Sequence, residues 1–115
     1  MHTVYLGLGA NLNAPRKQIH AAVAALKALN DVEFVCVSHD YASKPMGPQD
    51  QPDYVNAVAC VKTALKPEQL LDLTQAIELE HGRVRKEERW GPRTLDIDIL
   101  LFGNDVINTP RLTVP

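Results

Sequence analysis

The pattern of apolar residues limits this chain to a mixed helix-and-strand fold. Four runs of strand length, rich in aliphatic and β-branched residues, lie at 4–8, 32–37, 54–61 and 95–102. After the first and third runs, apolar residues instead recur every three or four positions, as on one face of a helix. The predicted order is β-α-β-β-α-β, an α+β class. It indicates a ferredoxin-like sandwich with an antiparallel sheet and both helices on one face.

Turn and cap residues mark where the predicted helices and loops begin. The first helix is expected to start at Pro15, with Asn13 as its cap, and the second at Pro67. Three prolines and a glycine fall within 42–52, which predicts a long, stiffened loop. Loops of that length in small domains are often functional.

Length and composition restrict the class of protein. A chain of 115 residues predicts one domain, 1–115. The net charge of −2 argues against a protein that coats nucleic acid. The apolar runs are too short to span a bilayer, and the first residues do not resemble a signal peptide. Both features predict a cytoplasmic protein with no membrane partner.

Two cysteines, Cys36 and Cys60, both lie in strand-like apolar runs. Neither has a CxxC or histidine partner at metal-ligand spacing, so a metal role is not indicated. We expect buried free thiols in a reducing compartment, with a disulfide as the alternative.

Charge is distributed unevenly along the chain. The segment 83–93, RVRKEERWGPR, has five cations and two anions, whereas the other 104 residues carry a net charge of −5. A basic segment on an acidic body indicates a local anion site, although a solvated charged surface is the simpler alternative. Trp90 favours the anion site, because a lone tryptophan beside Gly-Pro in a loop suits a flat ligand group.

Paired carboxylates follow this basic segment. Asp96 and Asp98 are two residues apart in a predicted strand, so their side chains project from the same face. Mg²⁺ relieves the repulsion between such acids and completes its shell with phosphate and water. Cations beside metal-binding acids predict a polyphosphate site, the alternative being two solvated acids. Tyr54 and Asn56 share another strand face and suit a flat heterocycle with amide-like edges, or simply a satisfied polar position beside a loop.

Four segments together carry a family resemblance. They are GANL at 9–12, SKPMGP at 43–48, QPDYVNA at 51–57 and RVRKEERWGPRTLDIDIL at 83–100. The chain resembles the 6-hydroxymethyl-7,8-dihydropterin pyrophosphokinases over residues 3–115. This resemblance implies transfer of an intact pyrophosphoryl group from ATP to the pterin hydroxymethyl oxygen in folate biosynthesis, with AMP as the second product.

The resemblance also implies a role for each matching residue. Asp96 and Asp98 would hold two Mg²⁺ ions and, with Arg83 and Arg93, act in catalysis. The ATP contacts would be Gln75, Arg85, Arg89, Ile99, Arg111 and Thr113. The pterin contacts would be Ser43, Met46, Tyr54, Asn56 and Trp90. Glu78 would support the site from the second helix, and the loop 83–93 would close over the substrates.

Two alternatives differ from an active kinase. Family members continue beyond the position of Pro115, so a weakly active or inactive nucleotide- or pterin-binding module is one alternative. An RNA-binding ferredoxin-like domain is the other. It would need aromatic residues on the central strands and a basic sheet, and this sequence is 5% aromatic with acids on the fourth strand.

Strict alternation also predicts an apolar patch beside the acids. It places a set of apolar residues on the sheet face that the helices leave open, and Leu101 on the helix side. The set comprises Tyr5, Val58, Cys60, Leu100 and Phe102. We expect the chain to self-associate through this patch or to be less stable than longer relatives.

Overall fold

The strands form an antiparallel sheet with the helices packed on one of its faces. The computed structural model describes residues 1–12, 14–44, 53–81 and 95–115. The elements in chain order are β1 (His2–Ala10), α1 (Pro15–Lys27), β2 (Val32–Val37), β3 (Tyr41–Ser43), β4 (Tyr54–Thr63), α2 (Pro67–Glu80), β5 (Asp96–Phe102), β6 (Ile107–Asn108) and β7 (Thr113–Val114). The α+β class and the antiparallel sheet are therefore as predicted.

The sheet is built around β1. Its strand order is β2-β4-β1-β5, every pairing is antiparallel, and short β3 is a third partner of β4. β6 and β7 form a separate two-stranded sheet. β1 consequently lies between β4 and β5, which carry five of the nine predicted site residues that fall within the described ranges.

One hydrophobic cluster joins the helices to the sheet. Alternate residues of β1, Val4, Leu6 and Leu8, are almost wholly buried in it. The helices contribute Ile19, Ala22 and Leu26 from α1 and Leu70, Leu71 and Ile77 from α2. The opposite side of the sheet is here called the open face, because the helices pack on the other side.

Local signals predicted where both helices begin but not which residue caps α1. Both helices begin at the predicted prolines. The cap of α1 is Ala14, in the left-handed region at φ 57°, so the prediction of Asn13 as the cap is wrong, and Asn13 itself lies outside the described residues. Residues 42 and 43 of the predicted loop 42–52 belong instead to β3, which pairs with β4, and residues 45–52 lie outside the described ranges. Neither α1 nor α2, the helices of the described ranges, is long and apolar enough to cross a membrane.

A β-bulge in β5 overturns part of the alternation prediction. Tyr5 pairs with Leu101 but Leu6 pairs with Ile99, so Leu100 is an extra residue in β5. A one-residue shift moves every later side chain to the other face. Leu101 is therefore 45% exposed and Phe102 is fully buried, the reverse of what was expected for both residues.

The prediction for the cysteines is half correct. Both thiols are free and Cys60 is buried, as expected, but Cys36 is exposed. A second register shift, between Phe34 and Cys36, occurs in β2. This shift turns Cys36 to the open face, away from the helices, where its pairing partner Cys60 also lies. β2 is also an edge strand of the sheet.

The bulge predicts opposite effects for two neighbouring substitutions. Phe102→Ala should lower the free energy of unfolding by about 3–5 kcal/mol, because it empties a core position. Leu101→Ala should change it by only about 0.5 kcal/mol, as expected at a surface position. Urea unfolding of both variants measures the difference. Equal losses, or a larger loss at Leu101, would contradict the bulged register.

Candidate active site

Glycines form the floor of the open face between two groups of polar side chains. Gly9 of β1 pairs with Asn56 on one side and Asp96 on the other, and Gly7 pairs with Asp98. Neighbouring strands lie about 4.8 Å apart, so β4 and β5 are separated by about 10 Å across this floor. β1 places no side chain of its own between them, so the two polar groups flank a shallow groove, which the Leu100 side chain partly covers above Gly7.

The two acids of β5 lie on the open face, as alternation predicted. Asp96 is half-buried and Asp98 is exposed, whereas Ile97 between them is buried in the core. Asp96 pairs across to Gly9 and Asp98 to Gly7, and the Leu100 side chain lies over Gly7. The two carboxylates concentrate negative charge on the β5 side of the groove.

A buried carboxylate of α2 holds the backbone between these acids. Glu78 is only 4% exposed, and its Oε2 accepts a hydrogen bond of 2.8 Å from the Ile97 N–H. That donor lies on the side of β5 away from β1, where no strand of the described chain pairs with it. Glu78 therefore fixes the position of β5, which agrees with the supporting role that the family resemblance implied.

The opposite side of the groove is built by β3 and β4. Asn56 Nδ2 donates a hydrogen bond of 2.7 Å to Ser43 Oγ, which fixes the orientation of the amide. A methyl group at Gly9 would lie 3.3 Å from Asn56 Oδ1 and 3.8 Å from the Tyr54 ring. Both groups therefore lean over the glycine floor, and Oδ1 is directed there as an acceptor. The structure thus brings together Ser43, Tyr54 and Asn56.

Two of the predicted nucleotide contacts meet on α2. Arg111 donates hydrogen bonds to Asp72 Oδ1 at 2.6 Å and Gln75 Oε1 at 3.4 Å, and its guanidinium lies 3.8 Å from Glu68. The hydrogen bond to Asp72 raises the pKa of Arg111 above its ordinary value, and the charges of Asp72 and Glu68 act in the same direction. This guanidinium is held in one place while remaining exposed.

Other predicted residues lie elsewhere or cannot be placed. Thr113 is exposed on β7, but the side chain of Ile99 is buried in the core, so only its main chain is available to a ligand. The remaining predicted residues lie outside the described ranges. They are Met46, Arg83, Arg85, Arg89, Trp90 and Arg93.

Sequence reasoning missed two residues that border the candidate groups. Tyr41, half exposed, is the pairing partner of Asn56 and shares its face. Its alternation with Ser43 around Ala42 was the available signal for β3. Asp72 was missed because its partner Arg111 is 39 residues away, and nothing in the local sequence links them.

The donor set fits a metal ion that takes few protein ligands. Among the described residues no group of three or more His, Cys, Asp or Glu side chains is placed to hold a metal. Asp96 and Asp98 offer carboxylate oxygens only, from one strand face. Mg²⁺ suits such a pair, because it binds through one or two carboxylates and takes phosphate and water for the rest.

Comparisons with known proteins agree on one family. A family model described as 7,8-dihydro-6-hydroxymethylpterin-pyrophosphokinase (HPPK) matches residues 5–115. Three relatives carry the name 2-amino-4-hydroxy-6-hydroxymethyldihydropteridine pyrophosphokinase. The Haemophilus influenzae protein is 57% identical over 115 residues, which is 100% of this chain and 71% of the relative. The Pseudomonas aeruginosa protein is 57% identical over 97% of this chain and 68% of its own length. The Pseudomonas putida protein is 52% identical over 96% and 91%.

Removing the Glu78 carboxylate should destabilise the protein. Glu78→Ala leaves a buried N–H of β5 without its acceptor, at a cost of about 1–3 kcal/mol. Glu80→Ala, at the exposed end of the same helix, is the matched control and should have little effect. Urea unfolding compares the two variants. A loss at Glu78 no larger than at Glu80 would show that the hydrogen bond to Ile97 does not hold β5.

Proposed function

This chain belongs to the HPPK family of folate-pathway pyrophosphokinases, and from that premise we propose its specific reaction. It transfers a pyrophosphoryl group from ATP to the hydroxymethyl oxygen of 6-hydroxymethyl-7,8-dihydropterin, in the presence of Mg²⁺. The products are AMP and the pterin diphosphate. We assign the reaction to a single domain of ferredoxin-like arrangement, which the strand order β2-β4-β1-β5 supports. Its need for ATP supports a cytoplasmic location.

The groove floored by Gly7 and Gly9 is the observation that carries this proposal. It has an amide and an aromatic ring on one side and two carboxylates on the other. A pterin is flat and has amide-like edges, whereas a polyphosphate with its metal ions needs oxygen ligands. The two sides therefore match the two halves of the reaction, and the separation of about 10 Å leaves space for the reacting groups between them.

The β4 side would bind the pterin. Asn56 Oδ1 would accept a hydrogen bond from an N–H of the ring, with its amide held in orientation by Ser43. Tyr54 would cover the heterocycle, and Met46 and Trp90 would complete the proposed pocket. Because Asn56 is fixed before the ligand arrives, little side-chain freedom is lost when the ring binds.

The β5 side would bind the polyphosphate. Asp96 and Asp98 would hold two Mg²⁺ ions, which neutralise charge on the phosphate oxygens when bound. Arg83 and Arg93 would stabilise charge on the transferred group, with Arg85 and Arg89 on the remaining phosphates. Phosphoryl-type transfer depends on alignment and charge neutralisation more than on covalent chemistry, so we assign no general base.

The nucleotide would extend toward α2 and β7. Gln75, Arg111 and Thr113 would contact it, and Ile99 would contribute its main chain, since the side chain is buried. Asp72 holds the Arg111 guanidinium in a fixed but exposed position. A guanidinium already positioned loses less conformational entropy when it binds an anion.

Loss of either acid should abolish transfer without unfolding the protein. In Asp96→Asn and Asp98→Asn, AMP release from ATP, pterin and Mg²⁺ should fall by at least about 100–1,000-fold, as for other groups that stabilise transition-state charge. Asp105→Asn, at an exposed position in the turn after β5, is the control and should retain activity. Thermal melting checks the fold of each variant. Full activity in both site variants would refute the metal role.

ATP and pterin binding to the unsubstituted chain without AMP release would favour a non-catalytic module.

A methyl group in the floor should weaken pterin binding selectively. Gly9→Ala brings a carbon within 3.3 Å of Asn56 Oδ1, so the amide must shift. We expect KM for the pterin to rise about tenfold, equivalent to about 1.4 kcal/mol, with KM for ATP nearly unchanged. Gly7→Ala introduces an equally close contact, but only with the Leu100 side chain. It should leave both KM values near those of the unsubstituted chain. Equal effects of the two variants on KM for the pterin would argue against Asn56 as a pterin ligand.

A further inference from the structure

The two cysteines of the chain are paired directly with each other on adjacent strands. Cys36 of β2 pairs with Cys60 of β4, which in turn pairs with Tyr5 of β1 on the open face. The register shift after Phe34 brings Cys36 into this position. Directly paired residues of antiparallel strands point their side chains to the same side, so the two thiols face each other.

The type of pairing sets the separation of the two backbones. Two residues further along, the Ser38 N–H donates a hydrogen bond of 2.9 Å to the Val58 carbonyl. Pair types alternate along an antiparallel ladder, so Cys36 and Cys60 also form a pair of the hydrogen-bonded type, with Cα atoms about 5.5 Å apart. Disulfides most often have Cα separations of about 5.5–6 Å. The backbone separation therefore lies within the disulfide range. The Cβ atoms of opposite residues, about 4.5–5.5 Å apart, must approach slightly to reach the usual range of about 3.5–4.5 Å.

The two thiols differ in solvent exposure, and this difference gives them different chemical roles. Cys36 is exposed, whereas Cys60 is 9% exposed. An oxidant from solution therefore meets Cys36 first. An oxidisable cysteine beside a second, protected one is the arrangement found in reversible thiol oxidation sites.

We infer that Cys36 and Cys60 form a reversible oxidation site for hydroperoxides. The Cys36 sulfur attacks one oxygen of hydrogen peroxide, which gives a sulfenic acid and releases water. The Cys60 sulfur then attacks the Cys36 sulfur, forms the disulfide and releases a second water. Two thiols are oxidised and one peroxide is reduced to two waters. A small dithiol reverses the reaction by thiol–disulfide exchange. This inference does not depend on the proposed kinase activity.

The crosslink would fasten β2 to the strand that carries the candidate pterin residues. Cys60 lies on the same face of β4 as Asn56, with Val58 between them. Oxidation would thus join the edge strand to the interior of the sheet at the apolar end of the open face. The bond lies in an already paired region, so the fold should tolerate it.

The test is to oxidise the reduced full chain with hydrogen peroxide and follow mass and thiol alkylation. The expected product is a monomer lighter by two hydrogen atoms, with neither cysteine alkylated after unfolding and both restored by dithiothreitol. The reaction should be at least about tenfold faster in the folded chain than in urea, because folding holds the thiols together.

A double variant provides the matched control. Cys60→Ser with Val58→Cys keeps two cysteines on the same face but makes them diagonal neighbours, with Cα atoms about 7–8 Å apart. This pair should form an intramolecular disulfide much more slowly. Four results would each overturn the inference: stable oxygen adducts on Cys36 with Cys60 still alkylated, disulfide dimers as the main product, no rate advantage over urea, or an equally fast folded control variant.

Discussion

The structure depends on a strict division between the two faces of β1. Leu6 and Leu8 are buried on one side, where they anchor the core, while Gly7 and Gly9 leave the other side without side chains. A larger residue at Gly9 would meet Asn56 and the Tyr54 ring. One central strand thus supplies both the main part of the core and the floor of the groove between the polar groups.

Much of the fold follows from periodicity, and what fails does so at register. The order of the main strands and helices, and the common face of Asp96 and Asp98, could be predicted because a period of two or of 3.6 is contained in each segment. Phe102 and Cys36 could not be placed, because both follow β-bulges. A bulge depends on how two strands that are distant in sequence pair with each other, so it cannot be predicted from the sequence of either strand alone.

The candidate site divides in a similar way. Residue types and family resemblance predicted its polar members, including Asn56 and Glu78. The partners that hold them depend on tertiary contacts: Ser43 reaches Asn56 through β3, and Arg111 reaches Asp72 across 39 residues. The basic segment 83–93, the most specific part of the sequence, lies outside the described residues. The resemblance therefore remains the basis for its proposed role.

The buried carboxylate of Glu78 has a consequence for association between molecules. β5 ends the described sheet, and an edge strand with open backbone donors can pair with the edge of another chain. Glu78 already occupies the outward N–H of Ile97. An approaching strand would find that donor engaged and a carboxylate beside it. The interaction that positions the acids therefore also protects this edge from forming a continuous sheet with a second molecule.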